Sequence, residues 1–314
     1  MLRVNRSTPY LFLFPGFGMM LLLVFLPLVM GISFSFQNIT QRNAYDKTFK
    51  VTEMQADGSV LITTTQKPAT AKFVGLENYR KVFQSQDFWK VFGQTLIWTF
   101  ANVFFHFVLG LGLALILNQH LKLKGWWRAL LLIPWAVPSY ITAFSWRWLF
   151  NGDYGLFNHI LVGLGLDRIS WLSDSFWAMF AVITTNIWLG VPFMMITLLG
   201  GLQGIPEELY EAAQIDGASK WNQFWNVTLP MLKPVAMVTV LLGIVWTFNM
   251  FNIIYLVTQD NPHTDILATF AFKAFFVRGE YGLACAYAVV ILICLSLFSL
   301  LYLNMNKDNQ TSQA

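Results

Sequence analysis

The sequence predicts an all-α integral membrane protein with six transmembrane helices and a small extracytoplasmic loop containing a β-hairpin. Two observations carry that expectation. Of the 314 residues, 56% are hydrophobic and only 11% are Asp, Glu, Lys or Arg, whereas a soluble domain carries roughly a quarter of its residues as charges. In addition, six stretches lack those four residue types altogether: Tyr10–Phe36, Phe92–Asn118, Ala129–Trp146, Ser175–Leu202, Val235–Thr258 and Tyr281–Asn304. A hydrocarbon core about 30 Å thick takes about 20 helical residues, so each run is long enough or nearly so.

The elements follow in order. Residues 1–9 form a short N-terminal segment ahead of the membrane region, 10–306. The apolar run of Tyr10–Phe36 exceeds the roughly 7–15 residues of a secretion signal and no small-x-small cleavage site follows, so it stays as the first membrane helix. The loop 37–90 is the only sizeable extracytoplasmic element. In it Lys50-Val51-Thr52 and Val60-Leu61-Ile62-Thr63 flank Ala56-Asp57-Gly58-Ser59, a hairpin signal. The second span contains His106, which reads as a hydrogen-bonded packing residue. The third is short, with Trp126, Trp127 and Trp148 placed to extend it as interfacial anchors; Pro134 and Pro138, one turn apart, are positioned to bend it. Residues 203–234 form a cytoplasmic loop between the fourth and fifth spans. Cys285 and Cys294 share the last span too far apart to bridge, at about 1.5 Å rise per residue. A polar tail, 307–314, closes the chain.

Six spans put both termini on one side. Arg3 and Arg6 precede the first span, and Lys122, Lys124 and Arg128 surround the second turn-around, without acidic neighbours. The stretch from Asp153 through Asp167 to Asp174 has only Arg168 as a cation. The positive-inside rule therefore places both termini in the cytoplasm. Arg80, Lys81 and Lys90, on the opposite side, run against it.

The charge pattern narrows function. The net charge of +4 is dispersed, which argues for no nucleic-acid partner. Ion-coupled carriers keep ionisable groups inside the membrane, and here only His106 falls mid-span. His106, His120, His159 and His263 show no ligand spacing, so no metal site is expected. No nucleophile–base–acid set suggests catalysis, and no Gly-rich phosphate loop is present, so any ATP hydrolysis must belong to a partner. The spans instead mix neutral polarity with aromatic surface. Asn186, Gly190 and Phe193 share a helical face in the fourth. The fifth adds Trp246 and Thr247, with Asn249, Asn252 and Tyr255 stepping by three. Amides and hydroxyls with flat rings suit a sugar; the alternative for each polar residue is a hydrogen bond between helices.

The loop 203–234 is the most distinctive segment. Pro206 suits a first helical position, and Glu207 and Glu208 suit the positive end of the helix dipole. Leu209, Ala212 and Ala213 make a small apolar side, Glu207, Glu208 and Glu211 an acidic one, and Gly217 stops the helix. Trp221, Phe224 and Trp225 then share a face of a second short helix. An amphipathic membrane-surface loop would carry Lys and Arg on its polar face, and this face is acidic.

Glu211-Ala212-Ala213, Gly217, Val227 and Leu229-Pro230 reproduce the EAA pattern, with Val where Ile is commoner. On these residues the chain resembles the permease subunits of binding-protein-dependent ABC importers. The segments Phe73–Phe83, Ile133–Asn158 and FNMFNIIYLVT, with the later TDILATFAF, resemble carbohydrate permeases, most of all the larger maltose/maltodextrin-type subunit. The chain lacks room for that subunit's second extracytoplasmic domain, and has Thr247 and Met250 where its fifth span carries more Asn. The resemblance implies an import permease for a sugar or oligosaccharide in a bacterial or archaeal cytoplasmic membrane, with a glycerol-phosphate or polyol as the alternative solute. It implies that Glu207, Glu208, Glu211, Ala212, Ala213, Asp216, Gly217, Leu229 and Pro230 form the contact to the ATPase. It further implies a sugar site at Asn186, Gly190, Phe193, Trp246, Thr247, Asn249, Asn252 and Tyr255. The implied partners are a second, different permease subunit, two ATP-binding cassette subunits using ATP and Mg, and an extracytoplasmic solute-binding protein; this chain itself would bind no cofactor.

Overall fold

The computed structural model describes residues 8–44, 47–54, 60–67 and 69–311. Arg3, Arg6 and the expected turn Ala56–Ser59 lie outside the described residues, as do the last residues of the expected tail. The helices are α1 (Phe12–Ser35), α2 (Glu77–Gln84), α3 (Gln86–Asn118), α4 (Lys124–Ala136), α5 (Ser139–Leu149), α6 (Leu156–Gly163), α7 (Ser175–Gln203), α8 (Glu207–Ile215), α9 (Lys220–Phe248), α10 (Phe251–Thr258), α11 (Leu267–Val277) and α12 (Tyr281–Thr311). Between α1 and α2 the backbone strands β1 (Lys47–Met54) and β2 (Val60–Lys67) pair antiparallel, with Lys47 opposite Lys67 and Met54 opposite Val60.

The expected fold class needs correction. Five helices (α1, α3, α7, α9 and α12) are long and apolar enough to cross a membrane, and the count reaches the expected six only if α4 and α5, a pair bent by 88°, are taken as one broken span. The break falls at Val137-Pro138. Proline has no N–H to donate and pushes the preceding residue to extended geometry; Val137 sits at φ −77°, ψ 129° and Pro138 at φ −54°, ψ 135°. Pro134, by contrast, is accommodated inside α4. The expected fifth span, Val235–Thr258, is also redrawn. Its helix starts earlier, at Lys220, and ends at Phe248; Asn249 and Met250 interrupt it, and α10 begins a new helix at Phe251. The strand pair means that the chain is not all-α, and the turn expected to join the strands falls on 55–59, outside the described residues.

The chain divides into two compact units, residues 1–89 with 270–293, and residues 90–269 with 294–314. In the first, Asn78 is buried and its Nδ2 donates to the carbonyls of Ser35 and Gln37, both at 2.8 Å. Gly282 allows a close pass, since a Cβ there would overlap the Gln37 carbonyl. The membrane window of α1 is wholly uncovered within this chain.

The second unit holds the larger core. Leu111, Leu117, Met194, Met195, Leu198 and Leu232 from α3, α7 and α9 are buried together. Gly110 permits that approach: a Cβ there would stand 2.8 Å from the Met194 Cβ. Between membrane helices such contacts stabilise through close van der Waals packing, because lipid tails are as apolar as the side chains themselves. A second cluster stacks Phe150, Phe157 and Trp171, with Phe150 and Phe157 ring centroids 4.6 Å apart. Asn158 pins it, accepting from Trp171 Nε1 at 2.8 Å and donating to the Gly152 and Ile169 carbonyls.

Candidate functional site

A cavity of about 300 Å³ opens within the second unit. The α4–α5 break makes one wall: because the chain turns at Val137-Pro138, Trp135 and Ser139 both line it. α7 supplies Asn186, Gly190 and Phe193, one helical face as the four-and-three spacing requires. α9 supplies Trp246 and Thr247, and α3 supplies His106. Phe193 sits at the centre of an aromatic group, with its ring centroid 4.7 Å from Trp246 and 6.4 Å from Trp135. Thr247 is held by its backbone carbonyl, which accepts from the indole of the fully buried Trp98 at 2.8 Å.

Asn249, Asn252 and Tyr255 do not line the cavity. Asn249 is exposed and its amide bonds back to the Val245 carbonyl at 3.0 Å. Asn252 donates to Ser139 Oγ at 2.6 Å and so ties α10 to α5. Tyr255 is half-buried on α10. The break at Asn249-Met250 resets the helical phase, so residues counted onward from Trp246 no longer share its direction. The sequence reading missed Trp135, Ser139 and Met250 as lining residues and set His106 aside as packing. A signal for the α3 wall did exist: Thr95, Thr99, Asn102 and His106 recur at steps of four, three and four, and all are buried. A polar stripe on one face of an otherwise apolar span marks an inward side.

The loop between α7 and α9 forms an exposed elbow. Pro206 stands at the cap, just outside the helix, with Glu207 and Glu208 in the first turn of α8. Glu207, Glu208, Glu211, Ala212, Asp216 and Gly217 are exposed, and Ala213 is half-buried. Gly217 ends the helix at φ +79°, a left-handed conformation that glycine adopts without a Cβ clash; the next amide, of Ala218, bonds the Ala213 carbonyl at 2.8 Å. Ser219 caps α9 by accepting from the Asn222 amide at 3.3 Å. A wide π turn at Phe224–Thr228 brings Thr228 under Tyr210, and their hydroxyls meet at 3.0 Å, bracing the two arms. Leu229 and Pro230 follow at the return into the apolar part of α9. Among the described residues no group of His, Cys, Asp and Glu could hold a metal ion.

The sequence pattern of the family described as "Binding-protein-dependent transport system inner membrane component" matches residues 106–308, from the cavity histidine through the elbow to the last span. This chain belongs to that family. It is thus a multi-pass membrane permease, a transport subunit. It is 41% identical over 237 residues to the trehalose/maltose transport system permease protein MalF of Thermococcus litoralis, covering 75% of this chain and 80% of that one. The permease also resembles a bacterial ABC transporter involved in import of the acidic polysaccharide alginate, with a TM-score of 0.77 over 95% of this chain and 94% of that one. At 23% identity that likeness speaks to the fold alone. A second structure, of a bacterial alginate ABC transporter in complex with an alginate pentasaccharide-bound periplasmic protein, matches at 26% identity and a TM-score of 0.68, covering 74% of the permease and 83% of that chain.

Proposed function

We propose that this permease moves a neutral sugar or short oligosaccharide through the cavity between α3, α4–α5, α7 and α9. The observation that carries the reading is the lining itself: the rings of Trp135, Phe193 and Trp246 beside the neutral polar groups of Ser139, Asn186 and Thr247. Flat rings cover the C–H face of a sugar, and amides and hydroxyls answer its OH groups. Among the described residues no Lys or Arg lines the cavity, which counts against a phosphorylated solute such as glycerol phosphate. The trehalose/maltose relative adds weight.

In this reading the solute arrives on a soluble extracytoplasmic binding protein, as in the alginate complex. Energy comes from ATP and Mg on two partner ATPase subunits that grip the acidic elbow, Glu207 to Gly217 with Leu229-Pro230, on the cytoplasmic side. A second permease subunit completes the assembly, and the uncovered α1 gives it a surface to meet. Both termini then face the cytoplasm of a bacterial or archaeal cell.

The test is uptake by the transporter purified with its partners and reconstituted in liposomes, offered labelled maltose, trehalose and glycerol 3-phosphate. ATP-dependent accumulation of a sugar is the expected result. Accumulation of glycerol 3-phosphate alone would refute the proposal.

A further inference from the structure

A groove of about 680 Å³ runs along the second unit between α9 and α12, with Phe107 of α3 beside it. It shares no lining residue with the cavity described above. Lys233, Ala236, Met237, Val240, Leu241 and Ile244 line it from α9, and their three-and-one spacing is the continuous stripe of one helical face. Phe298 of α12 bounds it beyond Ile244, with its ring centroid 6.1 Å from Phe100 and 6.3 Å from Phe248. The remaining wall is apolar except for Tyr302. Among the described residues no Asp or Glu lines the groove.

Its polar and apolar parts fall at depths set by the sequence. Lys233 stands just ahead of the uncharged run Val235–Thr258, and Tyr302 just before the end of the run Tyr281–Asn304. Borders of this kind lie where headgroups meet hydrocarbon. The stripe from Lys233 to Ile244 measures about 16 Å at about 1.5 Å rise per residue. One leaflet, half of a hydrocarbon core about 30 Å thick, has that depth. The groove is therefore a greasy trough one leaflet long, with a cation at its elbow end.

We propose that this groove binds an anionic membrane lipid, one hydrocarbon chain lying along α9 and the phosphate meeting Lys233. A second membrane helix is the other body that suits such a trough. The α1 helix of a second copy has no Asp or Glu anywhere in Phe12–Ser35, so it brings the ammonium no opposite charge. A lipid phosphate does. Lys233 is exposed, and a lysine stem can cover apolar surface while its ammonium rises to the headgroups. The inference needs only the membrane placement of α9 and α12, and stands apart from the sugar reading.

Photo-crosslinking identifies the occupant in the complete transporter. A benzophenone amino acid replaces Val240, and in a second preparation Met237. Each is irradiated in liposomes of equal phosphatidylglycerol and phosphatidylcholine, and the adducts are weighed by mass spectrometry. The expected adduct is lipid, with phosphatidylglycerol favoured about fivefold, the scale of one lysine near an anionic headgroup. Lys233→Gln is expected to bring the two lipids to parity. An adduct to the second permease subunit, parity with Lys233 in place, or a preference unchanged in K233Q overturns the proposal. If K233Q does not assemble, salt takes its place: an ionic strength of about 1 M shortens the Debye length to about 3 Å and is expected to flatten the preference. A preference that survives such salt overturns the proposal.

Discussion

The elbow and the cavity are made of opposite materials. The elbow, Glu207–Gly217, is exposed, acidic and continuous in sequence. The cavity is lined by neutral side chains from α3, α4, α5, α7, α9 and the break that follows α9, residues as far apart as His106 and Met250. Water solvates the elbow's carboxylates at little cost, so they can wait for a partner. Charges inside the membrane region are expensive, and there recognition falls to amides, hydroxyls and rings. Under the proposed function the difference places each kind of specificity: a partner protein would be chosen by charge and backbone shape outside the membrane, a solute by hydrogen bonds and ring surface within it.

The comparison can be broken most decisively at the elbow. Glu211→Arg or Gly217→Arg is expected to lower uptake about 100-fold, the scale of a reversed charge or a clash at a protein interface. The loss should be the same for every sugar, with the ATPase subunits missing from the purified complex while the permease still inserts. An effect that depended on the solute would erase the distinction between the two regions.

Phe193→Ala with Trp246→Ala removes two rings whose centroids lie 4.7 Å apart. Uptake is expected to fall about tenfold or more, as for loss of buried aromatic anchors, with ATPase association unchanged. Preserved uptake of both maltose and trehalose would show that the rings line the cavity without serving it.

Smaller effects test the scaffold that shapes the cavity. Gly110→Val overpacks the α3–α7 contact against Met194 and is expected to cost about 1–3 kcal/mol, read as a lower unfolding midpoint in detergent. Asn252→Ala loses the 2.6 Å bond to Ser139 and is expected to cost about 1 kcal/mol by the same measurement. Asn249→Ala, at an exposed amide on its own helix end, should change the midpoint least. A larger loss at Asn249 than at Asn252 would mean that α10 is not anchored through α5.

What the sequence alone determined is local. Uncharged runs marked the membrane segments, and the last of them, Tyr281–Asn304, starts where α12 starts. The Glu-Ala-Ala, Gly and Leu-Pro spacing marked the elbow and the family, because a contiguous surface helix is written in adjacent residues. The face Asn186, Gly190 and Phe193 was legible because α7 runs without interruption. Tertiary structure decided the rest. A proline signals that a helix can break, but the packing of its neighbours settles that Pro138 breaks one and Pro134 does not. The interruption at Asn249-Met250 sent Asn252 to Ser139 instead of into the cavity. His106 acquires its place only when Gly190, far along the chain, lies bare against its ring. Periodicity carries along one helix; which faces meet depends on shapes contributed by several.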